Sequence, residues 1–257
     1  TSPRVSYRHF PRAAVWADER LRRGDELAVC ESNAGRKELL GRGYPEERIR
    51  VAPNGVDTQA YARDISARAR LRAEWGVSDE HLVVGAVGRL HPQKGYDLLI
   101  RAAAELASSK VPFRVMIAGE GHHLKDLTRL AQNLSVPVTF LGRRNDVSSL
   151  LSAFDIYVQS SRYEGMSNAL LEALAAGLPC AATAVDGTLD FAKDGENMLL
   201  IKPDDATSLA VGIGFLLEKP GLRERLSENA TITARNQSVE RMVRSFEEAY
   251  NDARPIS

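Results

Sequence analysis

Short apolar runs alternate with amphipathic stretches along most of the chain. Runs with little polar interruption occupy residues 26–30, 48–52, 81–88, 113–119, 138–141, 156–159, 179–183 and 198–201. Short continuous apolar runs are what strands covered on both faces look like. Between them, residues 96–107, 124–134, 147–153, 168–176 and 206–217 carry helical periodicity. Ser32 is placed to cap a helix running to about Leu40, closed by Gly41 and Gly43, and Gly177 closes the helix over 168–176. Beyond Gly221 no strand pattern remains; residues 238–250 set Val239, Met242, Val243, Phe246, Ala249 and Tyr250 on one helical face. Pro53-Asn54-Gly55-Val56-Asp57 is a turn-forming segment, and a domain boundary is expected there. Alternating strands and helices predict an α/β chain built on a doubly wound parallel sheet with helices on both faces. In such a sheet, ligands bind beyond the carboxyl ends of the strands.

Composition narrows the picture. The 257 residues carry 34 basic and 34 acidic side chains, so the formal charge is zero. That balance removes the basic excess expected of a nucleic-acid binder. No apolar run approaches the ~18 residues of a membrane span. Cys30 and Cys180 are too few for a disulfide framework or a closed zinc site and read as buried thiols. The chain opens on Thr1, with no Met and no signal-like apolar segment, as a processed chain or a fragment would.

The candidate chemistry follows the strands. After 81–88, Arg89 and Lys94 sit five residues apart on a loop that opens into a helix. A helix N-terminus attracts anions, and an Arg fork with a Lys point charge suits phosphate oxygens. A solvated Arg and Lys on a loop would look the same. After 113–119, Gly119-Glu120-Gly121 is followed by His122-His123. No dinucleotide Gly-x-Gly-x-x-Gly results, and the two histidines read as a solvated helix end whose rings do not face each other. Gly142, Arg143 and Arg144 close the next strand and could flank a base or simply be surface charges. The stretch from Ser160 to Gly177 holds Glu164 on a loop. Gly165, Met166, Ser167 and Asn168 then lead into a helix, and Glu172 lies one turn inside it. One carboxylate before a helix N-terminus and one inside it can grip a polyhydroxylated ligand at two points. Two unconnected surface glutamates are the alternative.

Taken in order, four motifs resemble the family 4 retaining glycosyltransferases of GT-B fold. They are Pro53-Asn54-Gly55-Val56-Asp57, Gly88-Arg89-Leu90 with Gln93-Lys94-Gly95, the pair Glu164 and Glu172, and Ala175-Ala176-Gly177-Leu178-Pro179. The resemblance implies a Rossmann-like C-terminal half of a GT-B fold. It implies that Arg89 and Lys94 clamp the donor diphosphate and that Glu164 contacts donor-sugar hydroxyls as a catalytic-site residue. By the same resemblance, the backbone of Gly165–Asn168 meets the sugar and distal phosphate, Glu172 holds the ribose, and Gly142–Arg144 border the base. It further implies a metal-independent hexosyl transfer with retention from a UDP- or GDP-linked sugar, with no other cofactor. The chain has no Asp-x-Asp. A glycan or lipid-linked acceptor is implied, with a cytoplasmic site and peripheral contact at the inner membrane face.

The resemblance assigns residues 1–57 to the end of an acceptor domain plus linker, 58–235 to the donor domain, and 236–257 to a helix crossing back. The Gly-rich loop and acceptor-side His of the family have no counterpart here, and His9 is not promoted to that role. A donor half alone is therefore expected, with its N-terminal partner domain missing. The first 25 or so residues, rich in Arg4, Arg8, Arg12, Arg20, Arg22 and Arg23, are expected to be the least ordered. The competing readings are a non-catalytic nucleotide-sugar-binding fragment and, less well matched, a nucleotide-sugar epimerase or glycan phosphorylase.

Overall fold

The computed structural model describes residues 27–253. The arginine-rich stretch, His9 and the expectation about order near the start lie outside the described residues. A small parallel pair comes first: β1 (Ala28–Cys30) and β2 (Ile49–Val51), joined through α1 (Asn33–Gly41). Ser32 Oγ accepts the Gly35 N–H at 3.1 Å, the N-cap bond its position predicts. Ala28, Cys30, Leu39 and Ile49 form a small core of their own.

The linker then leads to α2 (Ile65–Glu74) and a six-stranded sheet. Its strands are β3 (Leu82–Val87), β4 (Phe113–Ala118), β5 (Val138–Gly142), β6 (Ile156–Gln159), β7 (Cys180–Thr183) and β8 (Leu199–Ile201). Their order across the sheet is β5-β4-β3-β6-β7-β8, and every neighbouring pair is parallel. The chain builds outward from β3 to β5, crosses back, and builds the other way from β6. The reversal of direction therefore lies between β3 and β6. The helices are α3 (Tyr96–Glu105), α4 (Leu124–Asn133), α5 (Val147–Ala153) and α6 (Asn168–Ala175), followed by α7 (Ala206–Glu218), α8 (Pro220–Asn236) and α9 (Val239–Ala253).

Strand alternation divides the core in two. Val83 joins Leu71, Leu150, Leu170, Leu174 and Ala230 on one face. Val84 joins Leu99, Leu127, Leu209, Ile213 and Leu216 on the other. Both faces are thus covered, which is why the strand sequences read as continuous apolar runs. Cys30 and Cys180 are free and buried; burial pushes the Cys30 thiol up to about 11.

Two elements depart from the sequence expectation. The pattern gave no helix over Ile65–Glu74, because part of the inward side of α2 is ionic. Arg72 is 4% exposed. Arg72 and Arg68 bond the two carboxylate oxygens of Asp155 at 2.9 and 2.7 Å, and Asp155 also accepts the Val83 N–H at 2.8 Å. The α9 face is less buried than its periodicity predicts: Ala249 is buried, while Val243 and Tyr250 remain exposed. The helix does return to the first sheet, where Arg50 Nε meets Asp252 Oδ2 at 2.6 Å. At its start, Val56 pairs with Ser238, and the Val56 N–H bonds the Gln237 carbonyl at 2.8 Å.

Candidate functional site

The reversal point brings the ends of β3 and β6 side by side. After β3 the chain runs Gly88-Arg89-Leu90-His91 into a single 3-10 turn, Pro92–Lys94, whose Gln93 N–H is capped by His91 Nδ1 at 3.2 Å. Gly95 ends that turn at φ +60°, and a Cβ there would lie 2.0 Å from the Ser160 carbonyl oxygen. Only glycine lets this loop lie directly on the end of β6. The contact is reinforced by the Arg162 N–H on the Gln93 carbonyl at 2.7 Å and Gln93 Nε2 on the Tyr163 carbonyl at 3.1 Å.

This seating brings Lys94 and Glu164 together across 70 positions of sequence. Lys94 Nζ donates to Glu164 Oε1, and Ser161 Oγ donates to the same oxygen at 2.7 Å. Glu164 is 7% exposed. Two donors on one buried oxygen fix the direction in which the carboxylate points. Burial, with the Glu164 charge nearby, pushes the Tyr96 phenol well above its ordinary range. Arg162 braces the loop from behind. Its guanidinium bonds both Asp97 oxygens at 2.9 and 2.8 Å and reaches Asp204 at 2.7 Å.

Past Glu164 the loop turns into α6. Ser167 Oγ caps the Leu170 N–H at 3.4 Å. Among the described residues, no protein acceptor bonds the N–H groups of Gly165, Met166, Ser167 and Asn168. Free donors at a helix start are an oxygen-binding feature. The loop lies close against Gly187, where a Cβ would meet the Gly165 carbonyl oxygen at 1.6 Å. One turn into α6, Glu172 is half-buried. Burial raises its carboxyl above the ordinary value, and a hydrogen bond with the Tyr61 hydroxyl opposes that rise. The same surroundings push Tyr61 up to about 12, burial first and the Glu172 charge second.

Arg89 is exposed at the mouth, where among the described residues its guanidinium bonds Gln93 Oε1 at 3.5 Å. It lines a cleft of about 210 Å³ with Gly88, Gly119, Glu120, Arg143, Arg144 and Val147. Arg143 and Arg144 therefore reach this cleft. Gly142 does not line it, but its carbonyl anchors the Gly119 N–H at 2.8 Å. Arg144 is held back by Asp146 at 2.8 and 2.7 Å. The histidines differ from expectation: the His122 and His123 rings pack edge to face at 5.2 Å, and His91 packs on His122 at 5.2 Å. They sit on the turn ahead of α4, where the helical rule for adjacent residues does not apply. Among the described residues, no group of three metal-ligating side chains could hold an ion.

The sequence reading thus named Arg89, Lys94, Glu164, the α6 entry and Glu172, but gave no role to Ser161, Tyr96 or Tyr61. Tyr96 and Tyr61 lie far from the glutamates in sequence. Ser161, three residues before Glu164, stood near enough to have been suspected.

Comparison with known proteins follows the same residues. Residues 67–233 match the family described as Glycosyl transferases group 1. Alpha-D-kanosaminyltransferase of Streptomyces kanamyceticus is 31% identical over 223 residues, 84% of this chain and 58% of that protein. D-inositol 3-phosphate glycosyltransferase of Acidothermus cellulolyticus is 34% identical over 224 residues, 82% of this chain and 49% of that protein. The chain spans about half the length of the curated relatives it matches. Among solved structures, Anabaena Alr3699/HepE in complex with UDP and glucose superposes with a TM-score of 0.89 at 26% identity, covering 96% of this chain and 69% of that one. WaaG, a glycosyltransferase involved in lipopolysaccharide biosynthesis, superposes at 0.81 with 25% identity, covering 95% of this chain and 68% of that one.

Proposed function

The chain belongs to the glycosyl transferases group 1 family, and from that premise we propose that it is the donor half of a retaining hexosyltransferase acting on a nucleotide-diphosphate sugar. The observation that carries this is the buried Lys94–Glu164 pair beside the unbonded N–H groups at the start of α6. A cation, an aimed carboxylate and free backbone donors meet where a parallel sheet reverses direction, the usual ligand crevice of such sheets.

In this reading Arg89 and Lys94 hold the diphosphate. Together with the N-terminus of α6 they stabilise the negative charge that develops on it as the sugar departs. Glu164 accepts from sugar hydroxyls, and Gly165, Met166, Ser167 and Asn168 offer backbone donors to the sugar and distal phosphate. Glu172 accepts from the ribose diol, and the cleft bordered by Arg143 and Arg144 takes the base. UDP and UDP-glucose are the first donors to try, since HepE was solved with both; a GDP-mannose-dependent mannosyltransferase is also a relative. The acceptor, a glycan or lipid-linked sugar, would be met by an N-terminal domain of which residues 1–57 are the end. Residues 58–235 would form the donor domain and 236–257 the returning helix. Among the described residues no helix is long and apolar enough to cross a membrane. Separately, the family resemblance is what points to a cytoplasmic site with contact at the inner membrane face.

Calorimetric titration with UDP, GDP and ADP, each beside its free nucleoside, tests the reading. One diphosphate should bind well above its nucleoside, and Arg89→Ala should remove ~1.5–3 kcal/mol of that binding, the range of a charge-assisted bond. Equal affinity for nucleoside and diphosphate would overturn it. A second reading, a donor-binding module without turnover, is favoured by the half-length match to the relatives. Donor binding with neither transfer nor donor hydrolysis would select it.

A further inference from the structure

The linker does more than join two units. Its Asn54 lies against the loop between Glu164 and α6. The Asn54 backbone N–H points at Met166 Sδ at 3.2 Å, and Asn54 Nδ2 donates to the Met166 carbonyl at 3.4 Å. The same amide reaches Glu31 Oε2, just past β1, at 3.4 Å. One residue on, the Gly55 N–H points at Met242 Sδ of α9 at 3.3 Å. The linker is therefore fastened to the first sheet, to α9 and to the Gly165–Ser167 loop at once.

The loop itself shows why this matters. Glu164 is fixed by Lys94 and Ser161, and Ser167 by its cap on α6. Gly165 and Met166 lie between those anchors. Met166 is 6% exposed, so its side chain is locked in the core, yet among the described residues the N–H groups of Gly165, Met166 and Ser167 have no protein acceptor. The bond from Asn54 Nδ2 to the Met166 carbonyl holds the Met166–Ser167 peptide plane, which carries the Ser167 N–H, and the contact with the sulfur holds the Met166 side chain beneath it. A peptide plane turned by ~10–20° no longer aims its N–H productively.

We propose that Asn54 is a positioning residue for the donor sugar: it orients the Gly165–Ser167 backbone and ties that orientation to the first unit through Glu31. The inference rests on the donor-site reading above and concerns its sugar end alone. Asn54 lies outside the diphosphate clamp, so its removal should separate two ligands that share the same nucleotide.

The experiment compares nucleoside diphosphates with their sugar conjugates on the full chain. UDP and UDP-glucose, GDP and GDP-mannose, and ADP and ADP-glucose are titrated first into the wild type to fix the base. The chosen pair is then titrated into Asn54→Ala and Asn54→Asp. Asn54→Ala should leave the diphosphate within about twofold and shift the sugar-to-diphosphate affinity ratio about fivefold against the sugar, as loss of one hydrogen bond implies. Asn54→Asp keeps the size but loses the donor and places a carboxylate beside Glu31, so its ratio should shift at least as far. The thermal midpoint should stay within about 4 °C, since a larger shift would signal more than about 1 kcal/mol of lost stability. An unchanged ratio in both variants, or equal loss for both ligands, overturns the inference while leaving the donor site standing. A wild type that binds no diphosphate overturns the donor site itself, before any variant is made. If Asn54→Ala does not fold, Asn54→Ser and Asn54→Asp carry the same comparison.

Discussion

At the scale of single residues, Arg89 and Lys94 share a loop and differ in burden. Arg89 is exposed, with one long contact to Gln93. Lys94 is the cation of a buried pair with Glu164. Arg89→Ala should therefore weaken diphosphate binding with no change in thermal midpoint. Lys94→Ala should weaken binding and also destabilise the fold by about 3–5 kcal/mol, the cost of stranding a buried partner charge. Chemical denaturation of both variants beside the wild type checks the contrast, and equal stability of the two would contradict it. Glu172 trades in the opposite direction. Burial raises its carboxyl above the ordinary value of 4.5. For an acid raised on folding, the native state binds the proton more readily, so stability falls as pH rises from that ordinary value through the folded one. Above both, the ionised Glu172 is a net burden on the fold. Glu172→Gln should thus raise the unfolding midpoint at pH 7 while weakening binding of the nucleoside diphosphate through its ribose. A variant less stable than wild type at pH 7 would refute the linkage.

At the scale of elements, α2 depends on Asp155. That carboxylate receives Arg68, Arg72 and the Val83 N–H, and so joins α2 to the starts of β3 and β6. Its buried partner Arg72 also donates to the Ser78 and His81 carbonyls at 2.8 Å each. Asp155→Ala leaves two guanidinium groups without their carboxylate and should cost about 3–5 kcal/mol, read as a shift in urea midpoint. A shift below about 1 kcal/mol, the median worth of a surface pair, would mean solvent replaces the carboxylate freely. This element also marks where pattern reading failed. Periodicity looks for apolar faces, and the inward side of α2 includes two arginines. By contrast, helical periodicity delimited α5 and an apolar run delimited β6 to the residue, because their inward sides are apolar and packed among hydrophobic neighbours.

At the scale of the whole molecule, the halves of the sheet are tied at the reversal point by Arg162. It links the loop after β6 to Asp97 on α3 and to Asp204 before α7. Burial alone would raise the Asp97 carboxyl, but the Arg162 guanidinium bonded to both oxygens prevails and holds it below the ordinary value. A carboxyl depressed on folding contributes stability that is complete above its unfolded value and is lost as pH falls through the folded one. Stability should therefore decline below about pH 4, and Asp97→Asn should flatten that acid limb while lowering the plateau above it. Urea midpoints from about pH 5 to about pH 3 provide the check. An acid limb of wild-type slope in the variant would assign the decline to other groups.

The sequence by itself determined the strand and helix alternation, the doubly wound class and the positions that follow each strand. These are local properties: apolar continuity, helical periodicity and the glycines and prolines that end elements all act over a few residues. It also singled out Lys94 and Glu164 as separate candidates. Tertiary structure decided that they touch, because only the strand order places the end of β3 beside the end of β6. It likewise decided that Tyr61 lies beside Glu172 and that Asn54 meets Met166. Long-range pairing leaves no local trace, since any residue of suitable chemistry could occupy those positions until packing brings its partner within a few ångströms.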